Sequence, residues 1–348
     1  MTPPTGTPPY GSTDEVPRFE QKEAPPPREP IAPQIVAAFV GVALGVGACF
    51  LGNTKSGTLP LPSFSIIVIW MYFLNWVAFV PAACFGTERF YDFTGALTYF
   101  SATVAATFVG AGARQRHHGD VTFPFPLPAT WRTCLLAGFV LVWCTRLGAF
   151  LFLRVLQHKD RRFEAAKSQA VVFFKFWTLQ ALWATLTAGG VLALLCNEDP
   201  GQSYAARSPV VDALGIASAV IGACLWCVGF ATEVIADEQK RAFKADPAND
   251  GAFIRTGLWG ISRHPNYAGE IVVWIGVALV AWPAAQTPMQ LILCAISPLF
   301  VFVLLRFGSG VPPLEVGADR RWGGRPEYEA YKRTVPVLFP CCCCCPPS

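Results

Sequence analysis

Charge is what this sequence has least of. Asp, Glu, Lys and Arg together make up 14% of its 348 residues, where a soluble globular domain carries roughly 25%. That deficit excludes a disordered chain and a coiled coil, both of which are rich in charge. The balance is equally thin. A net charge of +4 at pH 7, with the basic residues scattered, excludes a nucleic-acid binder, because a phosphate footprint needs clustered Lys and Arg. Metal-ligand spacing is missing too: His117-His118-Gly119-Asp120 has no second cluster to complete a coordination shell. The first residues lack the basic and apolar regions of a cleaved signal peptide. The thirteen cysteines build no secreted disulfide scaffold. Eight are scattered through apolar runs, where Cys acts as a small hydrophobe, and Cys224 and Cys227 form a C-x-x-C inside one such run.

Hydrophobic length is what the chain does have. It is 53% hydrophobic, with a mean hydropathy of +0.41. Apolar runs occupy 31–51, 63–85, 90–112, 131–156, 171–195, 209–231, 268–284 and 288–306. Most exceed the ~18–20 residues that cross a ~30 Å hydrocarbon layer as a helix. The last two are short and separated by Trp282-Pro283, so they read as one re-entrant hairpin or two tight spans. The expectation is an all-α, polytopic integral membrane bundle of seven to eight helices, eight favoured, with a small cytosolic C-terminal cap. Residues 1–30 read as a disordered Pro-rich tail, 31–130 as about three N-terminal membrane helices, 131–340 as the main membrane domain and 341–348 as a poly-Cys tail. Gly41, Gly45 and Gly47 fall inside the first run, which favours close helix packing over a dinucleotide-binding loop.

The basic residues orient the bundle. A cytosolic N-terminus leaves eighteen Lys and Arg in cytosolic segments and only Lys55, Arg114, Arg116 and Arg207 opposite, so the positive-inside rule puts both termini in the cytosol. Cys341, Cys342, Cys343, Cys344 and Cys345 then follow Val337-Leu338-Phe339 at a cytosolic end without a C-a-a-X signal. Such a run suits reversible S-palmitoylation and contact with membrane lipids.

Polar chemistry gathers in the last 120 residues. Glu233, Asp237, Arg241 and Lys244 recur at spacings of 4, 4 and 3, one helical face. That face reads either as a juxtamembrane helix with ion pairs or as a groove for a ribose hydroxyl and a phosphate. Next comes Trp259-Gly-Ile-Ser262-Arg263-His264-Pro265-Asn266-Tyr267-Ala-Gly269-Glu270. Pro265 suits a first helical turn, Ser262 or His264 could cap it, and a helix N-terminus with Arg263 beside it suits anionic ligand groups. Glu270 is an ionisable residue at the edge of an apolar run, and Gly269 allows close approach of a ligand or another helix. Arg306 closes the last run ahead of a mixed-charge stretch holding Glu315, Tyr328 and Tyr331. Arg146 and Arg154 lie inside the fourth run, about 80° apart around a helix. Arg154 is expected to snorkel and Arg146 to meet a carboxylate or a cofactor.

These segments, with Thr145-Arg146-Leu-Gly148, Phe176-Trp177-x-Leu-Gln180 and Pro312-Pro313-Leu314-Glu315, resemble the DUF1295 membrane proteins of the steroid 5-alpha-reductase-like superfamily. The resemblance covers roughly 60–340. It implies an endoplasmic-reticulum enzyme that binds NADPH near the cytosolic mouth and reduces a C=C bond conjugated to a carbonyl in a lipophilic substrate. Carried over by motif, Asp237, Arg241 and Lys244 would contact the adenosine and phosphate end, with Arg263 and His264 at the helix entry. Asn266 and Glu270 would line the nicotinamide, Arg306 would pair with the pyrophosphate, and Tyr328 and Tyr331 would complete the set. The Glu and Tyr that polarise the carbonyl in that superfamily have no evident counterpart, since Trp143 stands three before Arg146. Asp92 or Tyr99 could substitute, and Tyr267 could donate the proton. Two other readings stand beside this one. An S-adenosylmethionine-dependent membrane methyltransferase shares a related Arg-His-Pro-x-Tyr, and a degenerate lipid binder needs no catalytic pair.

Overall fold

Each apolar run closes its backbone hydrogen bonds within itself, the solution open to a single segment in hydrocarbon that is not part of a closed barrel. In the computed structural model, which describes residues 30–52, 63–118, 130–157, 163–164, 166–196 and 209–340, every long element is a helix and no strand occurs among the described residues. The helices are α1 (Ile31–Gly52), α2 (Ser63–Cys84), α3 (Tyr91–His118), α4 (Trp131–Gln157) and α5 (Ala170–Leu195), followed by α6 (Pro209–Ala245), α7 (Pro265–Ala281) and α8 (Pro288–Phe307). Two short ones, α9 (Val311–Trp322) and α10 (Pro326–Thr334), form a C-terminal cap. Eight helices are long and apolar enough to cross a membrane. The Trp282–Ala284 turn separates α7 from α8, which Thr287 starts by accepting from the Gln290 N–H at 3.2 Å; the last two runs are therefore two helices. The tail expected over 1–30, apart from Pro30, lies outside the described residues, as do Cys341–Cys345.

Helix α5 is the hub. It packs against α1, α2, α3, α4, α7 and α8, and it is rich in small buried residues (Ala181, Ala184, Ala188, Gly189, Gly190, Ala193). A helix apolar all round belongs in such a position. Outward faces of α1, α2, α6 and α8 expose Phe39, Phe50, Phe73, Val228 and Leu299, the side chains expected where lipid is the solvent.

Alternating helix direction brings the ends of α2, α4, α6 and α8 and the starts of α3, α5 and α7 to one end of the bundle. Ion pairs tie this end together: Lys167 to Glu88 at 2.6 Å and Arg154 to Asp92 at 3.5 Å. α6 runs fourteen residues beyond the apolar run expected at 209–231, because no breaker intervenes before Asp246-Pro247. The segment between α6 and α7 then folds back under the cap. Trp259 donates to the Ala236 carbonyl at 3.0 Å, and Tyr331 donates to the Trp259 carbonyl at 2.8 Å.

Candidate functional site

Two close-packed helices set the site. Across the α6–α7 interface glycine meets glycine: a Cβ on Gly229 would stand 2.7 Å from the Gly269 carbonyl, and one on Gly222 2.6 Å from the Gly276 carbonyl. Gly269 is thus spent on helix contact. Backbones this close bring the α6 pair Glu233/Asp237 and the α7 pair Asn266/Glu270 side by side, since each pair is four residues apart and shares a face.

Arg146 of α4 completes the constellation. Its guanidinium reaches Glu233 at 2.9 Å and Asp237 at 2.8 Å, so the expected carboxylate partner is there twice. Trp143, one turn earlier, donates to the other Glu233 oxygen at 3.1 Å, and Asn266 donates to Asp237 at 3.2 Å. Glu233, Asp237 and Glu270 are all buried. Glu270 has Glu233, Asp237 and Arg146 as its charged neighbours and makes no hydrogen bond among the described residues. Three carboxyl groups therefore face one guanidinium in the interior, and Lys240 acts on Asp237 alone among them. Such an imbalance is costly without a further positive charge. Among the described residues no three His, Cys, Asp or Glu side chains are grouped so as to hold a metal ion.

Above this acidic floor sits a basic rim. Lys240 has Lys244, Asp237 and Arg154 as charged neighbours, and Lys244 has Arg154 and Arg321. Lys240 also lies 4.5 Å above the Trp259 ring. The rim thus gathers cations from the ends of α4, α6 and α9. Lys240 and Arg321 carried no motif signal in the sequence; only the fold shows that they converge.

The remaining sequence candidates stand elsewhere. Arg241 points outward and pairs with Glu238 at 2.6 Å. Arg263 and His264 both engage Glu315, at 3.1 and 2.8 Å, while their backbone N–H groups donate to Pro336 and Val337. They clasp the C-terminal segment to the start of α7. His264 occupies the N-cap position without a side-chain cap bond. Burial, the largest cause, pushes its imidazole below the ordinary histidine value; Glu315 opposes this shift, and Lys240 and Arg263 add to it. Tyr328 is buried and donates to Asp319 at 2.9 Å. Burial pushes the Tyr331 hydroxyl up to about 12, so it stays a donor to Trp259 at neutral pH. Arg306 is half-buried at the end of α8, 5.1 Å over the Phe307 ring. Asp92 pairs with Arg154, two turns along α4 from Arg146, a rise of about 12 Å. Tyr267 stacks on His264 with ring centres 5.8 Å apart. Tyr99, in contrast, is buried against Trp143 at 5.2 Å and faces Glu270.

Comparison with known proteins adds three findings. The sequence model of the family described as "Protein of unknown function (DUF1295)" matches residues 92–335. The probable O-methyltransferase ustE of Ustilaginoidea virens is 33% identical over 60 residues, covering 17% of this chain and 21% of that protein; the chain thus aligns with about a fifth of that relative's length. No solved structure matches.

Proposed function

The chain belongs to the DUF1295 family, and from that premise we propose that it is a membrane-embedded, NADPH-dependent reductase of a C=C bond conjugated to a carbonyl in a lipophilic substrate. The observation that carries the reading is the charge layout: a basic rim at the bundle mouth and, one to two turns deeper, three buried carboxyl groups against Arg146, with Lys240 of the rim beside Asp237. These residues fit the cofactor. Lys240, Lys244, Arg154 and Arg321 would hold its phosphates, and Asp237, Asn266 and Glu270 would hold the nicotinamide end. When bound, NADPH supplies a hydride.

The residues of the chain do the rest. Cations at the rim bind and orient anionic groups, with Arg154 and Arg321 suited to bidentate phosphate contact. Glu233, Asp237 and Glu270 would offer carboxyl oxygens beside the nicotinamide end, where hydride loss would leave positive charge. That interaction is stronger in the transition state than in the ground state, the condition for catalysis. Trp143 packs edge-on against both Tyr99 and Trp274, at 5.2 and 5.1 Å between ring centres, beside these carboxyl groups.

The stretch shared with a probable O-methyltransferase favours a second reading, a methyltransferase using S-adenosylmethionine. The same carboxyl groups argue against it. A sulfonium loses its positive charge as the methyl group leaves, so they would stabilise the reactant more than the transition state.

Thermal unfolding of the detergent-purified chain with NADPH, NADH and S-adenosylmethionine separates the two. Ligand at a hundred times its Kd stabilises by about 2.7 kcal/mol. Stabilisation by NADPH that Asp237→Ala and Asn266→Ala abolish is the expected result. Stabilisation by S-adenosylmethionine alone would sink the reductase reading.

A further inference from the structure

The chain that follows the cap is tied to the start of α7. The Arg263 N–H donates to the Pro336 carbonyl at 2.9 Å, and the His264 N–H donates to the Val337 carbonyl at 3.2 Å. The Ser262 hydroxyl adds a third bond, to the Val337 carbonyl at 3.3 Å. These donors immediately precede Pro265, the first residue of the α7 membrane span. Leu338 is buried with the main apolar core, and Glu315 of α9 closes the clasp through Arg263 and His264. Beyond it the chain surfaces, with Phe339 and Pro340 exposed. Phe307 at the end of α8 and Leu314 and Val316 of α9 also present apolar side chains outward. The described chain thus leaves the fold level with the start of a membrane span, among exposed apolar groups.

Cys341 to Cys345 follow at once, and reach limits where their thiols can go. A fully extended residue spans at most about 3.6 Å, so Cys341 stays within about 11 Å of Leu338 and Cys345 within about 25 Å. Both limits are shorter than the ~30 Å thickness of the hydrocarbon layer. A contiguous block lacks the roughly two to four residues that separate paired ligands in a closed thiolate metal site. Cysteines held beside a membrane span are suited instead to accept fatty acyl groups.

We propose that Cys341–Cys345 form a multiple S-acylation site, delivered to the bilayer surface by the clasp between Pro336–Leu338 and the start of α7, and that the acyl chains hold the cap over the mouth. The donor is a long-chain acyl-coenzyme A. A cysteine Sγ attacks its thioester carbonyl, a new thioester forms as the bond to the coenzyme A sulfur breaks, and coenzyme A leaves as a thiol with the proton that the cysteine gives up. Nothing is oxidised or reduced. Eight helices long and apolar enough to cross the bilayer already hold the chain there, so the acyl chains act on the cap, whose α9 carries Arg321 of the rim. One acyl chain attaches reversibly and two attach stably, which gives adjacent thiols a use that a single one lacks. The proposal rests on a cytosolic mouth, where acyl-coenzyme A is supplied, and is independent of the reductase reading.

The test uses the full chain made in eukaryotic cells. Free thiols are blocked in denaturant with a phosphine reductant and a chelator, thioesters are opened with neutral hydroxylamine, and the thiols released are tagged with a polyethylene glycol maleimide. The parent is expected to show a hydroxylamine-dependent gel shift and to incorporate an alkynyl palmitate. Combining Cys341→Ser, Cys342→Ser, Cys343→Ser, Cys344→Ser and Cys345→Ser should abolish both. Cys84→Ser, which removes the exposed thiol at the end of α2, should keep both. A Gly/Ser linker of about thirty residues between Pro340 and Cys341, with a span of roughly 30 Å, should lower the modified fraction by about half or more. In vesicles that expose the cap, trypsin should cut after Arg320, Arg321 or Arg325 faster in the quintuple variant than in the parent. No hydroxylamine-dependent shift in the parent, or one unchanged in the quintuple variant, would overturn the site. So would thiols that resist blocking only when the chelator is omitted, the mark of a bound metal. A modified fraction unmoved by the linker would overturn delivery by the clasp, and equal cleavage would overturn the hold on the cap. None of these readouts involves NADPH, so the reductase reading stands or falls separately.

Discussion

Arg146 is the residue on which the site's electrostatics turn. It holds Glu233 and Asp237 together from a third helix, and nothing else among the described residues bridges both. Arg146→Ala strands two buried carboxylates, and breaking a buried pair in this way costs about 3 kcal/mol or more. A large drop in the Tm of the purified protein should accompany loss of the proposed response to NADPH. Arg146→Lys should recover only part of either, because one ammonium cannot replace two separate guanidinium nitrogens. His264 makes a different prediction. Its folded pKa lies below the unfolded value of about 6.5, so the unfolded chain takes up this proton more readily. Stability is then full above that value and declines as pH falls through about 6.5 toward the lower folded pKa. Tm should fall over that window in the parent and fall less in His264→Gln, which keeps a donor toward Glu315. A parent whose Tm rises on acidification would contradict the buried neutral imidazole.

At the scale of elements, the α6–α7 pair decides whether the residues meet at all. Gly229→Val sets a branched side chain against backbone of α7, which cannot rotate away, and overpacking of this kind costs about 1–3 kcal/mol. The helices must part, separating Asp237 from Asn266. The expected readout is a lost response to NADPH that exceeds the loss in Tm, while Gly47→Val, where a Cβ meets nothing, leaves both unchanged. The sequence discloses the helices well, because apolar runs outside a closed barrel have a single backbone solution in hydrocarbon. It discloses the site in part. Glu233 and Asp237 are legible as a face of α6, and Arg146 as a charge in need of a partner. Sequence spacing could not show that Arg241, one turn past Asp237, had rotated to solvent while Lys240 turned inward. The eight residues from Glu233 to Arg241 sweep about 80° at 100° per residue, enough to leave the packed face. Nor could the motif reveal that Glu315, fifty-one residues downstream of His264, claims both Arg263 and His264. Long-range pairing of that kind follows from the fold of the cap. Tyr99 carried no pattern of its own; its burial against Trp143 arises from helices brought together by α5.

For the whole molecule, the question is which way the mouth faces. The cap, the basic rim and the segments joining α2 to α3, α4 to α5 and α6 to α7 share one end of the bundle. Antiparallel order sends the ends of α1, α3 and α5 and the starts of α2, α4 and α6 to the other. Basic residues concentrate at the first end, and from the positive-inside rule we propose that this end faces the cytosol. The proposed chemistry demands the same orientation, since the cytosol is where NADPH would reach the rim. An N-glycosylation acceptor inserted at 53–62 or 197–208 should therefore be modified when the chain is made in microsomes, and one inserted between Asp246 and Thr256 should not. The opposite pattern would leave the membrane fold intact but turn the rim to the lumen, and a reductase supplied with cytosolic NADPH could not work from there.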